Sequence, residues 1–278
     1  MIELVEDLAH WRTVRPRGHT IGFVPTMGAL HDGHLSLVRR ALAENDVAIV
    51  SIFVNPTQFD NPDDLANYPA TFEADRRMLD EVGCQFLLRP SPELMYRDGY
   101  RVRITDTEHS RVLEGEHRTG HFDGVLTVVM KLLNMVGASR AYFGEKDFQQ
   151  LLVVTDMAKA LFHATRIVPC PTIREADGLA MSSRNRRLNT AQRKMAGEWA
   201  ALLADRSLAC DDVIAQLDAL GFTVDYVVEQ WGRRLGAAHA PLLDGGPDVR
   251  LIDNVAMVDV EDDDGHLGHL PSYDRDEG

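Results

Sequence analysis

The chain has 278 residues, of which 45% are hydrophobic, and it carries a formal net charge of −14 at pH 7. This composition supports one large folded domain plus a smaller one and excludes a disordered chain, and the negative charge argues against a nucleic-acid surface. The apolar runs are far shorter than the roughly 20 residues of a membrane helix and the N-terminus lacks a signal-peptide pattern, so we expect a cytoplasmic protein.

Short β-rich runs alternate with helical periodicity between residues 20 and 169, which is typical of parallel strands joined by crossover helices. The predicted strands are 20–24, 47–54, 84–88, 140–143 and 165–168. Within residues 125–136, apolar side chains recur at three- and four-residue steps, which predicts a helix with one buried stripe. The pattern indicates an α/β fold built on a parallel sheet.

The pattern changes after residue 187. Thr190 is predicted to cap a helix that reaches about Arg206, and a second, shorter helix and an isolated strand follow. We predict a large domain of residues 1–175, a small domain of residues 176–258 and a tail of residues 259–278. The tail has eight acidic residues and a single arginine, so we expect it to be solvated and disordered.

The first chemical motif lies directly after the first predicted strand and before a helical apolar pattern. It reads Pro25-Thr26-Met27-Gly28-Ala29-Leu30-His31-Asp32-Gly33-His34. A helix that begins beyond the carboxyl end of a parallel strand presents backbone N–H groups and a positive dipole end, which suits a triphosphate. His31 and His34 share one face of the first turn, where they can bind phosphate oxygens and stabilise the charge that develops when diphosphate leaves.

Two other interpretations of this histidine pair stay open. The histidines can be surface residues that cap a helix, or they can form a zinc pair. The sequence shows no third zinc ligand at suitable spacing. Cys84, Cys170 and Cys210 are odd in number and widely spaced, which indicates neither a zinc knuckle nor a disulfide framework. We therefore predict no metal site made by the protein alone.

The second motif, Phe143-Gly144-Glu145-Lys146-Asp147-Phe148-Gln149-Gln150, again follows a predicted strand. Gly144 turns the chain, and Lys146 can reach a phosphate as a point charge. The chain has four lysines against 25 arginines, which makes a lysine beside a glycine turn mildly suggestive. The alternative is a solvated lysine at a helix start, paired with Glu145 or Asp147.

The third motif is Met181-Ser182-Ser183-Arg184, within a basic stretch. A mobile loop with hydroxyl groups and a guanidinium can close over a phosphate group. The alternative is a solvated charged face, because runs of charge usually lie at the surface.

In combination, these motifs resemble those of pantothenate synthetases, in the nucleotidyltransferase superfamily that includes class I aminoacyl-tRNA synthetases. The resemblance covers about residues 1–195 and rests on segments that stand in the same order as in that family: 24–28, 51–59, 120–122, 144–150 and 177–184. It implies a Rossmann-like doubly wound parallel sheet with a smaller α+β C-terminal lid domain. It also implies ATP-dependent condensation of (R)-pantoate with β-alanine through a pantoyl-adenylate, with release of AMP and diphosphate.

The resemblance assigns roles to individual residues. His34 takes the acid role, His31 is its phosphate-binding partner, and Lys146 and Arg184 grip the phosphates. Gln58 binds pantoate and β-alanine and Gln150 binds pantoate, because an amide can donate to a carboxylate and accept from a hydroxyl group. The implied ATP site consists of Met27, Gly28, Ala29, Leu30, His31, Asp32, Gly33, His34, Gly144, Glu145, Lys146, Asp147, Ile173, Met181, Ser182, Ser183 and Arg184.

Further expectations concern the surroundings of this site. Arg118 and His121 lie in a glycine-flanked loop that the resemblance brings to the triphosphate. Magnesium accompanies ATP and is held largely by phosphate oxygens. Asp75 is either an indirect magnesium ligand or a plain aspartate on a helix surface. The family also implies a homodimer.

The C-terminal part departs from the family pattern. Relatives carry an uninterrupted hydrophobic strand shortly before an Arg-Leu-Ile-Asp-Asn segment, which this chain keeps at residues 250–254. The preceding residues 235–241, with Gly236 and Pro241, disfavour a central strand. Three alternatives therefore stay open: the same adenylation with a different hydroxy acid or amine, a silent nucleotide-binding protein, and nucleotidyl transfer to a phosphate acceptor.

Overall fold

The computed structural model describes residues 2–60 and 62–257, and it divides into two compact units, Met1–Pro171 and Thr172–Gly278. The predicted boundary between residues 175 and 176 lies four residues further along the chain. The predicted disordered tail, 259–278, lies outside the described residues. No helix in the described ranges is long and apolar enough to cross a membrane.

The first unit is built on a six-stranded parallel sheet. Its strands are β1 (Glu3–Val5), β2 (Ile21–Thr26), β3 (Val47–Ile52), β4 (Phe86–Leu88), β5 (Arg140–Gly144) and β6 (Arg166–Cys170). The five strands that the sequence predicts are confirmed to within two residues at most ends. β1 was missed because it is a three-residue edge strand, too short to show an alternating pattern.

Eight α-helices connect or flank these strands within the described part of the first unit. They are α1 (Leu8–Val14), α2 (Asp32–Glu44), α3 (Pro62–Ala66), α4 (Phe72–Glu81), α5 (Pro92–Met95), α6 (Glu114–His117), α7 (His121–Val136) and α8 (Phe148–Ala160). Shorter 3-10 turns occur at Pro56–Gln58, His109–Arg111 and Glu145–Asp147.

The strand order β1-β4-β3-β2-β5-β6 reverses direction between β2 and β5. From β2 the chain builds the sheet outward through β3, and it then returns to place β5 on the other side of β2. In open α/β sheets such a switch point leaves a crevice at the carboxyl ends of the strands, where ligands bind. The expectation of a Rossmann-like doubly wound sheet is confirmed, and the switch point falls beside the first motif.

Helix α7 differs from its prediction of one buried stripe. Eleven of its sixteen residues are buried, because it packs against both α8 and the Pro56–Gln58 turn. A helix between two neighbours needs apolar side chains on more than one face. This arrangement brings the first turn of α7 to the loop that follows β3.

The second unit has two helices and a three-stranded antiparallel sheet. These are α9 (Thr190–Ala204), α10 (Cys210–Ala219), β7 (Thr223–Gln230), β8 (Arg233–His239) and β9 (Arg250–Ala256), with the strand order β7-β8-β9. The predicted cap at Thr190 was one residue late. Asn189 is the N-cap, because its side chain accepts from the Gln192 N–H while the Gln192 side chain accepts from the Asn189 N–H.

The prediction that residues 235–241 disfavour a central strand was wrong. Residues 233–239 form β8, which pairs with β7 on one side and β9 on the other. A Cβ on Gly236 would lie 2.7 Å from the Trp199 ring and 2.9 Å from Leu203, so a glycine is needed where α9 crosses the sheet. Pro241 comes after the strand has ended. The expected hydrophobic strand before residues 250–254 is therefore present.

Gly236→Ala is expected to destabilise the second unit by about 1–3 kcal/mol, because the added methyl group overpacks a filled core. Urea unfolding followed by tryptophan fluorescence measures the change. Gly144→Ala is the matched control, since a Cβ there meets no atom within 4 Å and its φ of −74° suits alanine. Equal stability of the two variants would show that α9 does not need the glycine.

Candidate active site

Three chain segments leave the carboxyl ends of neighbouring strands β3, β2 and β5 in the first unit. They are residues 53–59 after β3, residues 27–34 after β2 and residues 145–150 after β5. Because carboxyl ends of parallel strands lie at one edge of a sheet, this topology brings the predicted residues His31, His34, Gln58, Lys146 and Gln150 to the same edge.

The two histidines form a compact pair at the start of α2. His31 is the N-cap, with an extended φ of −145°, and His34 lies in the first turn. Their ring centroids are 4.0 Å apart at an interplanar angle of 43°, and the Nδ1 atoms of both rings are shielded from solvent. The helix N-terminus and two imidazoles thus act on one small volume, which suits an anion.

The turn between β2 and α2 has a strained backbone. Gly28 has a φ of +84°, and Ala29, which is not a glycine, has a φ of +51°. Left-handed conformations cost free energy for residues with a Cβ, so contacts must hold the turn in place. Ala29 and Leu30 are both fully buried.

Asp75 on α4 supplies those contacts. Its carboxylate accepts hydrogen bonds from the backbone N–H groups of Ala29 and Leu30, both at 2.9 Å, and from the Thr71 hydroxyl at 3.0 Å. The expectation of a plain aspartate on a helix surface was wrong, since Asp75 is 1% exposed. A missed signal was that Asp75 falls on the apolar stripe of α4 with Phe72 and Leu79.

Asn55, which the sequence analysis did not single out as a site residue, governs the side chain of Gln58. It is 1% exposed and caps the Pro56–Gln58 turn. Its Nδ2 donates to Gln58 Oε1 at 2.9 Å and to the Gly124 carbonyl at 3.3 Å. The asparagine that precedes a proline directly after a strand was the available signal, because it is a strong cap pattern.

The backbone of Gln58 is held by the first turn of α7. His121 Nδ1 lies 2.8 Å from the Gln58 carbonyl, and an Arg118 nitrogen lies 3.1 Å from His121 Nε2. A carbonyl only accepts, so Nδ1 carries the proton and Nε2 accepts from Arg118. The described contacts of both side chains are therefore with the Gln58 turn, which the sequence did not indicate. At Gly124, a Cβ would lie 2.4 Å from the Thr57 carbonyl, so only glycine allows this approach.

The pKa of His121 is lowered to about 4, chiefly by burial and further by the Arg118 guanidinium. The Gln58 carbonyl and the carboxylates of Glu114 and Asp60 act in the opposite direction. The imidazole is therefore neutral near pH 7 and keeps the tautomer that the Gln58 contact requires.

The segment after β5 places four predicted residues in a short 3-10 turn and the start of α8. Gly144, Glu145, Lys146 and Asp147 are all half-buried, and Lys146 Nζ lies 3.7 Å from Asp147 Oδ1. Gln150 is half-buried in the first turn of α8. Its buried neighbour Gln149 has a different task, since its side chain bonds to backbone groups of His109, Val112 and Glu114.

The remaining predicted residues belong to the second unit. Ile173 and Met181 pair across a hairpin through the Met181 N–H and the Ile173 carbonyl at 3.0 Å. Ser182, Ser183 and Arg184 follow as a 3-10 turn in which Ser182 Oγ accepts from the Arg184 N–H.

Two arginines fasten this hairpin within its own unit. Arg174 binds both carboxylate oxygens of buried Asp253 at 2.6 and 3.1 Å, and Arg193 bridges Asp177 and Glu175. Sequence analysis treated residues 181–184 as part of a mobile loop, whereas the structure shows a hydrogen-bonded turn.

No group of three or more histidine, cysteine or acidic side chains that could hold a metal ion occurs within the described residues. The two histidines therefore have no third protein ligand of that kind in this part of the chain.

Comparison with known proteins gives full-length matches. A family model described as pantoate-beta-alanine ligase matches residues 1–256. The pantothenate synthetase of Legionella pneumophila is 46% identical over 253 residues, which cover 91% of this chain and 98% of that protein. The pantothenate synthetase of Bdellovibrio bacteriovorus is 48% identical over 247 residues, covering 89% and 95%.

Solved structures agree with these sequence matches. The pantoate-beta-alanine ligase of Francisella tularensis, complexed with beta-gamma ATP and β-alanine, has a TM-score of 0.86 at 37% identity, over 92% of this chain and 98% of that one. The pantothenate synthetase of Thermus thermophilus has a TM-score of 0.84 at 39% identity, over 92% and 99%. The similarity therefore extends through the second unit, beyond the expected limit near residue 195.

Asp75→Asn is expected to lower the free energy of unfolding by about 1–3 kcal/mol, because the amide nitrogen would face a backbone N–H without an acceptor. We also expect weaker ATP binding, since the left-handed turn before His31 loses its support. Urea unfolding and calorimetry measure the two effects. Glu73→Gln, an exposed change on the same helix, is the control, and an unchanged affinity in Asp75→Asn would contradict the role of this clamp.

A second prediction concerns pH. The pKa of His121 is about 4 in the folded chain and about 6.5 when unfolded, so the unfolded state binds more protons between these values. Stability is therefore fully present above pH 6.5 and is lost as the pH falls, by about 2 kcal/mol at pH 5 from this group alone. Urea unfolding at pH 7 and pH 5 should show a smaller pH-dependent loss in His121→Asn than in the wild type.

The control for this pH series is His19→Asn, because His19 is exposed. It should keep the wild-type pH dependence. The same pH dependence in His121→Asn and in the wild type would show that His121 titrates alike in both states.

Proposed function

The chain belongs to the pantoate–β-alanine ligase family and condenses pantoate with β-alanine using ATP, and we propose that it does so through a pantoyl-adenylate. The observation that carries this mechanism is the His31–His34 pair at the N-terminus of α2, beside the switch point of the sheet. The alternative of another acid or amine rested on a missing strand in the second unit. That basis was wrong, because β8 is present.

The proposed reaction has two displacements. First, a carboxylate oxygen of pantoate bonds to the α-phosphorus of ATP, the bond from that phosphorus to the bridging oxygen breaks, and diphosphate leaves. Second, the amine nitrogen of β-alanine bonds to the acyl carbon and loses a proton while the bond to the AMP oxygen breaks. Both steps depend on positioning and charge stabilisation rather than on a covalent enzyme intermediate.

We assign the departing diphosphate to the N-terminus of α2 and to the two histidines. Negative charge builds on the bridging oxygen as the bond breaks, and donors already in place stabilise it without reorganisation. His34 takes the acid role and His31 binds phosphate. The short ring separation and the shielded Nδ1 atoms support this assignment, because both rings are confined to the same volume.

We assign the other ATP contacts to residues of both units. Met27–His34 and Gly144–Asp147 belong to the nucleotide site, with Lys146 on the phosphates as a mobile point charge. Ser182, Ser183 and Arg184 also bind phosphates, and Ile173 and Met181 belong to the nucleoside end. The hydrogen-bonded turn of residues 182–184 supports this, since a preordered turn loses less entropy on binding.

We assign pantoate to Gln58 and Gln150, and β-alanine to Gln58. Both glutamines follow strands whose carboxyl ends share the edge with β2. The fixed amide of Gln58 supports this role, because Asn55 Nδ2 donates to its Oε1 and its Nε2 can then donate to a carboxylate.

Magnesium and a homodimer complete the proposal. The described residues hold no cluster of three possible ligands, which fits an ion held mainly by ATP phosphates and water. When bound, magnesium neutralises phosphate charge. A cytoplasmic location is proposed from the ATP that the reaction consumes. Light scattering would give twice the chain mass of 31.0 kDa for the proposed dimer.

An omission assay tests the proposed mechanism. With ATP, magnesium, pantoate and β-alanine, AMP should form only when pantoate is present, and amide only when β-alanine is added. His34→Ala should lose about 10²- to 10³-fold in turnover, as expected for one lost donor to a developing charge, without a change in unfolding.

The matched control is His19→Ala, because His19 is exposed and lies before β2. AMP formation without pantoate would refute the adenylate mechanism. Full turnover by His34→Ala would refute the role of that histidine.

A further inference from the structure

We propose that Tyr96 is a positioning residue for the acid substrate: its hydroxyl fixes the amide of Asn55, which in turn makes Gln58 present its amino group to the substrate carboxylate. This inference rests on the proposed role of Gln58. It concerns which atom of Gln58 the substrate meets, and therefore how the site selects a carboxylate.

The orientation of the Asn55 amide follows from backbone groups whose roles are unambiguous. The Gly124 carbonyl can only accept, and it lies 3.3 Å from the Asn55 nitrogen Nδ2. The Thr57 N–H can only donate, and it lies 3.4 Å from the Asn55 oxygen Oδ1. The oxygen and nitrogen of a side-chain amide are interchangeable in shape, so such partners decide between the two orientations.

These backbone contacts are long and therefore weak, and two hydroxyl groups reinforce them. Tyr96 donates its hydroxyl proton to Asn55 Oδ1, and Thr57 Oγ1 lies 3.0 Å from the same oxygen. Burial raises the pKa of the Tyr96 phenol to about 12, so the hydroxyl stays a donor throughout the working pH range.

The ring of Tyr96 is itself held in place. The Lys131 ammonium lies 4.6 Å from the ring centroid, and the ring of Tyr100 meets it edge-on at 5.4 Å. The same Lys131 donates to the Met95 carbonyl and to Asp98. A cation over an aromatic face and an edge-on neighbour both favour one ring position. The hydroxyl is thus a fixed donor rather than a mobile one.

The consequence reaches the substrate through one hydrogen bond. Because Asn55 presents Nδ2 to Gln58, the Gln58 atom that faces it is the carbonyl oxygen Oε1, at 2.9 Å. The opposite side of that amide is Nε2, with two N–H donors for a carboxylate. If Asn55 turned over, Gln58 would turn over with it and offer an oxygen to a negatively charged group.

Tyr96→Phe removes only the hydroxyl. We expect the KM for pantoate to rise about tenfold, as for one lost hydrogen bond to a buried acceptor, whereas kcat and the KM for ATP stay within about twofold. A general loss of structure would instead lower kcat and raise both KM values. Tyr100→Phe is the matched control, because its ring contacts Tyr96 while its hydroxyl has no part in the proposed relay. It should behave as the wild type.

Two further measurements separate positioning from damage. In a Gln58→Ala background, Tyr96→Phe should add less than about twofold, since coupled residues are not additive. The neutral carboxamide analogue of pantoate, tested as an inhibitor, should be rejected less strongly relative to pantoate in Tyr96→Phe. Thr57→Val, which removes the second hydroxyl, should raise the KM for pantoate in the same direction and serves if Tyr96→Phe is unstable.

Additive effects in the Gln58→Ala background, or an unchanged KM for pantoate in both hydroxyl variants, would overturn the inference. Its failure is distinguishable from failure of the proposed function. If wild-type AMP formation requires pantoate but the hydroxyl variants are normal, only the role of Tyr96 falls. If wild-type AMP formation ignores pantoate, the proposed function itself falls.

Discussion

The parallel pairing of β2 with β3 on one side and β5 on the other is the constraint on which the rest of the first unit depends. Three adjacent strands that run in the same direction must release their following segments at one edge. The chain therefore delivers a histidine pair, a glutamine turn and a lysine turn to that edge without any long-range sequence motif. The chemistry follows from where each strand ends, as is common in open α/β sheets.

Strand ends alone would leave these segments loose, and buried polar side chains supply the missing rigidity. Asp75 holds the turn before His31, whereas Asn55 and His121 hold Gln58 at its side chain and at its carbonyl. Each of these holders is at most 7% exposed. Inside the protein, where water competes weakly, such fully bonded groups fix geometry more strongly than surface contacts do. Support residues of this kind usually decide how well a site is preorganised.

Sequence reasoning predicted the elements whose signals are local. The apolar runs predicted five strands, and the motifs after β2 and β5 predicted the histidine pair and Lys146. Errors arose where a distant partner decides the outcome. Gly236 disfavours a strand by propensity but is required by the ring of Trp199, and Asp75 is polar but buried by two backbone donors. Asn55 and Tyr96 were missed because their tasks exist only once β3, α5 and α7 are assembled.

The bonds from Ala29 and Leu30 to Asp75 also have a dynamic meaning. Loops at a binding edge usually exchange their amide hydrogens quickly, because little protects them. Here two loop amides are bound to a buried carboxylate on α4. Their hydrogens can exchange only when that helix separates from the turn. The entrance to the histidine pair therefore opens together with a structural helix, so its slow fluctuations belong to the core rather than to the surface.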